Sequence, residues 1–310
     1  MSTRAQVVAP AGRTAGSLTA SAGPRDVSFV RVGALRLRVS RQGVGPPLLL
    51  LGGLGNSLGV WDNLVRELPG LDTIAVDAPG TGASSTPVLP LSMAELADLY
   101  AGLVRALGLE QLSVLGLSFG GAVAQQLAHQ SPGLVRRLVL CGTGPGVGGT
   151  PGSAAALHEL ASPARYFSAS QSRRATPVIY GGRFAREPGS FRRELEQRLA
   201  SPPSVYGYYC QLAALVGWSS LPWLASIEAP TLVLAGDDDP VYPVENAAIL
   251  GQGIPDARVE VLTGGGHLFV MDSAREIAPS VDAFIAGDRT VSPSGSTSSG
   301  SYSSGSPWTA

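Results

Sequence analysis

Lysine is absent: all 22 basic residues of the 310-residue chain are arginine. Chemistry that needs a side-chain amine is thereby excluded, including Schiff bases, pyridoxal-phosphate enzymes, serine–lysine dyads, P-loops and protein kinases. Histidine is nearly as scarce. His129, His158 and His267 are the only three, so a histidine general base must be one of them. Two cysteines, Cys141 and Cys210, cannot build a zinc cluster or a disulfide framework. No run approaches the roughly 18 apolar residues of a membrane span. The first 24 residues contain Arg4 and Arg13 but no apolar core of a secretory signal, so a cytoplasmic protein is expected. Charge of one sign is also missing, with 22 basic against 23 acidic residues, and no nucleic-acid partner is expected.

What is present is apolar material, 44% of the chain, in short runs. Residues 27–32 and 35–40 read as a hairpin turning at Gly33. Residues 47–51, 73–77, 112–117, 137–141, 231–235 and 258–262 read as buried strands bounded by Gly or Pro. Helical patterns fall between them, at 58–68, 92–107, 121–130, 243–250 and 274–285. Repeated β–α units imply an α/β fold with a mostly parallel sheet covered by helices. The alternation stops over 145–229, which holds ten of the 19 aromatic residues. That segment is expected to be an inserted helical cap over the carboxyl ends of the strands, where open α/β sheets bind ligands. The core then comprises 25–144 and 230–286. Residues 1–24 and the Ser/Gly-rich 287–310 are expected to be disordered.

The pattern G-x-S-x-G occurs twice, at 116–120 and at 55–59. With 40 glycines in the chain the pattern alone decides nothing, and context must separate the two. A nucleophile elbow needs a strand directly before the serine and a helix directly after it. Ser118 has both, and Gly116, Gly120 and Gly121 let its turn tighten. Ser57 lies several residues beyond its strand and reads as the N-cap of a helix beginning near Leu58.

A serine nucleophile needs a base, and the base needs an orienting acid; on elbow-bearing sheets the chain order is serine, acid, histidine. His267 follows the last strand in a loop freed by Gly264, Gly265 and Gly266. His129 ends a helix, where a cation suits the dipole, and His158 falls in the expected cap. The acid is expected after the strand at 231–235, where Asp237, Asp238 and Asp239 stand in a row. Spacing favours Asp239, since Gly236 and Pro243 place it in a G-x-x-D-x-x-x-P register; Asp238 is the alternative. The three lack the alternating ligands of a calcium loop, so no metal or cofactor is expected. Oxyanion donors are expected at the amides of Phe119 and of Leu54, in the glycine loop after strand 47–51. The turn Asp77–Ser84 reads as structural.

These residues carry a resemblance. From about residue 27 to 286 the chain resembles the α/β-hydrolases, and more narrowly the intracellular medium-chain-length poly(3-hydroxyalkanoate) depolymerases. The likeness is strongest in the cap: Ala161-Ser162-Pro163 with Arg165-Tyr166, Ile179-Tyr180-Gly181-Gly182 with Phe184 and Arg186, Gly207-Tyr208-Tyr209 with Gln211-Leu212, Gly217-Trp218 with Ser220, and Trp223-Leu224. It extends over 230–240 and Gly266-His267-Leu268-Phe269. Phe119 departs from the tryptophan common there, and the glycine loop before His267 is one residue longer. The resemblance implies the triad Ser118, Asp239 and His267. It implies a lipophilic polyester substrate, with a storage-granule surface as its setting. Tyr180, Phe184, Tyr208, Tyr209, Trp218 and Trp223 would then offer apolar faces to the polymer. A small-ester or thioester hydrolase with the same triad is the alternative. A non-catalytic receptor on this fold is a third reading, against which the complete triad argues. Oligomeric state is left open.

Overall fold

The computed structural model describes Val7–Val8 and residues 25–287. Most of the two expected disordered ends lies outside the described residues. Two exceptions stand inside them. Val7–Val8 forms a two-residue strand, β1, and Gly287 is the left-handed cap of the last helix (φ 95°) rather than part of a tail.

Eight further strands complete the sheet: β2 (Asp26–Val32), β3 (Leu35–Gln42), β4 (Pro47–Leu51), β5 (Asp72–Val76), β6 (Leu112–Leu117), β7 (Val135–Cys141), β8 (Thr231–Gly236) and β9 (Ala257–Leu262). Their order is β1-β2-β3-β5-β4-β6-β7-β8-β9. Everything from β5 to β9 is parallel, while β1, β2 and β3 pair antiparallel at one edge. Side chains alternate across this sheet, so Leu49 and Leu51 enter one hydrophobic cluster and Leu48 and Leu50 the other. Each such buried leucine contributes about 2 kcal/mol of transfer free energy. The expected buried strand at 258–262 proves to be the far edge, with Val259 and Val261 exposed. Its valines and arginine suit a half-solvated strand equally well, and its place in the order decides.

The core helices are α1 (Asp62–Arg66), α2 (Met93–Ala106), α3 (Phe119–Gln130), α9 (Glu245–Gly253), α10 (Phe269–Asp272) and α11 (Ala274–Ala286). Helix α2 starts in a capping box, Ser92 with Glu95. The helix expected over 58–68 is instead a 3-10 turn, Leu58–Trp61, followed by the short α1. Ser57 makes no side-chain cap there; the Leu58 N–H donates to Asp77 Oδ1 at 2.8 Å.

Between β7 and β8 the chain forms α4 (Ala154–Leu160), α5 (Ala169–Tyr180), α6 (Gly182–Arg186), α7 (Arg192–Ala200) and α8 (Val205–Leu215), with 3-10 turns at Pro163–Tyr166, Pro188–Phe191 and Leu221–Ser226. Four of these segments start on a serine whose hydroxyl accepts an amide of the first turn: Ser153, Ser162, Ser168 and Ser204. Among the described residues, no helix is long and apolar enough to cross a membrane.

Candidate active site

Strand β6 runs directly into α3 through Ser118, whose φ of 54° and ψ of −117° make it the only non-glycine residue with positive φ among the described residues. That conformation costs on the order of 1–3 kcal/mol and is held by its surroundings. The Ser118 N–H donates to Cys141 O at 2.9 Å, and Thr143 Oγ1 donates to Ser118 O at 2.8 Å. Glycine is required on both sides of the turn. A Cβ on Gly116 would lie 2.4 Å from Gly120 O, and one on Gly121 2.6 Å from Thr143 Cβ.

His267 stands opposite, between two partners. Its Nε2 lies 3.0 Å from Ser118 Oγ and its Nδ1 2.8 Å from Asp239 Oδ2. A carboxylate only accepts, so Nδ1 carries the ring proton and Nε2 is left to accept from the serine hydroxyl. The other Asp239 oxygen accepts the N–H groups of Val241 (2.8 Å) and Tyr242 (3.0 Å). The Tyr242 ring stacks beside the imidazole, and burial pushes its phenol up to about 12. Ser118 is only 8% exposed, with Asp239 and His267 covered still more completely.

The neighbouring aspartates are used differently. Asp238, its side chain 52% exposed against 0% for Asp239, accepts from the Gly182 N–H and pairs with Arg186 on α6. Asp237 accepts the Gly264 N–H and so shapes the loop that delivers His267. Asp77 is fully buried; desolvation raises its pKa from 3.8 despite amide donors from Leu58 and Ala83 and the nearby Arg38 guanidinium. It ties the loop after β4 to the turn after β5.

The two expected oxyanion donors lie on segments that meet at the serine. Phe119 opens α3, where its N–H has no intrahelical acceptor. Leu54 lies in the loop after β4, alongside Gly53, whose Cβ would stand 3.3 Å from Ser118 Cβ.

The six expected cap aromatics are distributed among three packed groups. Tyr180 and Phe184 are buried against Phe191, with the Arg198 guanidinium over the Tyr180 and Phe191 rings. Tyr180 also lends its backbone carbonyl to the His267 N–H. Tyr208 is buried, donating to Leu160 O and accepting from Arg165; Tyr209 crosses it edge-on and is 46% exposed. Trp218 and Trp223 fasten the segment to α3: Trp218 Nε1 donates to Gln126 Oε1, and Trp223 stacks on His129 at 4.4 Å. His158 is exposed on α4. Sequence reasoning gave no role to Tyr242 or Gln211, and read Asp77 only as part of a structural turn. Asp77 and Leu58 are 19 positions apart, and only the fold makes them neighbours.

A parallel sheet of this order, with a strained serine between strand and helix at its carboxyl edge, defines the α/β-hydrolase class. The chain belongs to that family: residues 46–274 match the model of the alpha/beta hydrolase fold, and the protein is an ester hydrolase. It is 42% identical over 247 residues to a poly(3-hydroxyalkanoate) depolymerase of Ectopseudomonas oleovorans, covering 78% of this chain and 85% of that one. A hydrolase structure from Pseudomonas aeruginosa superposes with a TM-score of 0.71 at 26% identity, covering 84% and 98% of the two chains. The enol-lactonase of Burkholderia xenovorans gives 0.71 at 23% identity over 83% and 99%, a likeness of fold.

Proposed function

We propose that the protein is a serine hydrolase that cleaves ester bonds of medium-chain-length poly(3-hydroxyalkanoate). The observation that carries the mechanism is the position of His267, 3.0 Å from Ser118 Oγ and 2.8 Å from Asp239 Oδ2. Ser118 gives its proton to His267 Nε2 as Oγ attacks the ester carbonyl carbon. Asp239 holds the imidazole and stabilises it when charged. The amides of Leu54 and Phe119 receive the negative oxygen. Collapse breaks the C–O bond, His267 returns its proton to the leaving alkoxide, and an acyl group stays on Ser118. Water, deprotonated by His267, attacks that acyl group; the acyl–Oγ bond then breaks, His267 returns the proton to Ser118 Oγ, and a 3-hydroxyalkanoic acid is released. No metal or cofactor takes part. The polyester is supported by the 42% identity to the Ectopseudomonas enzyme. A cytoplasmic, granule-bound setting accompanies the same reading.

The test has two arms. Ser118→Ala should lower turnover of a 4-nitrophenyl ester by on the order of 10⁶-fold and abolish labelling by a fluorophosphonate. Near-normal esterase activity in that variant would sink the assignment. Wild-type protein should also release acid from emulsified medium-chain polyester; hydrolysis of short esters alone would move the function to a small-ester hydrolase.

A further inference from the structure

Leu54 lies in the four-residue turn 53–56, and both peptides flanking it are held. The preceding one is fixed within the turn, where the Asn56 N–H donates to Gly53 O at 3.0 Å. The following one, Leu54–Gly55, is held from outside the core. Tyr166 Oη donates to Leu54 O at 2.7 Å, and the Gly55 N–H donates to Gln211 Oε1 at 3.0 Å. One peptide is thus gripped at its carbonyl and at its N–H by two side chains from different parts of the 145–229 segment.

Neither grip is loose. Gln211 is buried and spends its amide on Pro79 O at 3.0 Å. The Tyr166 ring lies against Gly55, where a Cβ would come within 2.8 Å of it, and Arg165 and Arg198 sit over the ring. Gly55 has φ +71°, as the third residue of a type II turn requires. The central peptide is the unit whose rotation converts that turn to type I, and it is the unit the two side chains hold. Phe119, by contrast, is fixed by the core at the start of α3.

We propose that Tyr166 and Gln211 are positioning residues: by anchoring the Leu54–Gly55 peptide to the cap they hold the turn 53–56 in place, and with it the adjoining Gly53–Leu54 peptide, whose N–H is the oxyanion donor. The proposal rests on the reading of Leu54 and Phe119 as oxyanion donors. Docking of the cap then sharpens the aim of one of two donors, and ester hydrolysis is most efficient in the covered state.

The experiment compares wild type with Tyr166→Phe, Gln211→Leu and the double variant. It reads kcat and KM on a short 4-nitrophenyl ester, and affinity for an arylboronic acid that becomes tetrahedral on Ser118. Outright loss of one oxyanion donor costs about 10²–10³ in kcat, so loosening it should cost on the order of 10- to 100-fold, with KM within about twofold. Boronate affinity should fall in proportion to kcat. The double variant should lose little more than the worse single one, because both act on one peptide. Gln211→Glu, which keeps an acceptor for the Gly55 N–H, should retain more kcat than Gln211→Leu. A partly unfolded preparation would lower kcat yet leave the boronate affinity of its folded fraction unchanged, so the proportionality separates positioning from folding. Unchanged kcat in both single variants, or a kcat loss without a boronate loss, overturns the proposal while Ser118→Ala remains inactive. Wild-type turnover in Ser118→Ala would remove the underlying reading, and the positioning role with it.

Discussion

Asp237, Asp238 and Asp239 follow β8 in sequence, and spacing alone left two of them eligible as the acid. Side-chain direction separates them. Asp239 turns inward, spends one oxygen on two backbone amides and offers the other to His267. Asp238 turns outward to Arg186, in an ion pair half exposed on both sides, where such pairs contribute at most about 1 kcal/mol. Asp239→Asn should therefore lower kcat by on the order of 10⁴-fold, since an amide at that position no longer dictates the tautomer of His267. Asp238→Ala should stay within about threefold of wild type in kcat while loosening the α6 turn. Steady-state kinetics on a soluble ester read both, and equal losses would show that the acid had been misassigned. The contrast between Ser118 and Ser57 was legible for the same kind of reason. Strand-to-helix context is local and survives in sequence, whereas the Asp77 carboxylate that serves Leu58 in place of the Ser57 hydroxyl arrives from the next strand.

At the scale of elements, α3 has two jobs at two ends. Its first residue follows Ser118, and its later turns fasten the segment between β7 and β8. Gln126 receives the Trp218 indole, His129 stacks under Trp223 and bonds Ser226, and buried Gln125 accepts from Ser220 Oγ while donating to Gly144 O. Gln125→Leu would leave the Ser220 hydroxyl without its 2.7 Å acceptor and should cost about 1–3 kcal/mol. Denaturant unfolding measures that loss; no change would mean that Pro145 O, 3.4 Å away, suffices for Ser220. The same helix explains how unevenly the fold could be read. Elements with a strong period and clear caps, such as α2 and β6, match expectation to within about a residue, because propensity, patterning and capping agree there. The helix expected over 58–68 broke because its start is governed by Asp77, and α10 is too short to carry a period. The helices between β7 and β8 were expected only as a class. Three of the five, α4, α5 and α8, begin on a serine signal that is common in this chain, and the packing of the segment onto α3 depends on partners some 90 positions away.

The whole molecule poses a problem of access, because Ser118 is almost completely covered and its proposed substrate is a long chain. Helix α8 meets the core at a close seam. A Cβ on Gly80 would lie 2.5 Å from Gly207 Cα, Ser204 donates its N–H to Gly80 O, and Thr86 Oγ1 stands 3.1 Å from Ser204 Oγ. Entry of a polymer strand requires some part of this cover to lift, on the microsecond-to-millisecond scale typical of lids. The Thr86–Ser204 contact offers a place for a disulfide lock, since the two side chains already meet there. Native Cys141 and Cys210 are buried and do not compete for it. The oxidised Thr86→Cys/Ser204→Cys protein would close a loop spanning 118 residues in sequence separation, worth about 4–5 kcal/mol of chain entropy, and should melt higher than its reduced form. Small fluorophosphonates should label it at nearly the wild-type rate, whereas turnover of long-chain esters should fall by on the order of tenfold and recover with dithiothreitol. Equal wild-type rates on short and long esters in the oxidised state would mean that the substrate enters by another side. Loss of labelling as well would mean that even a small electrophile needs the seam at α8 to open.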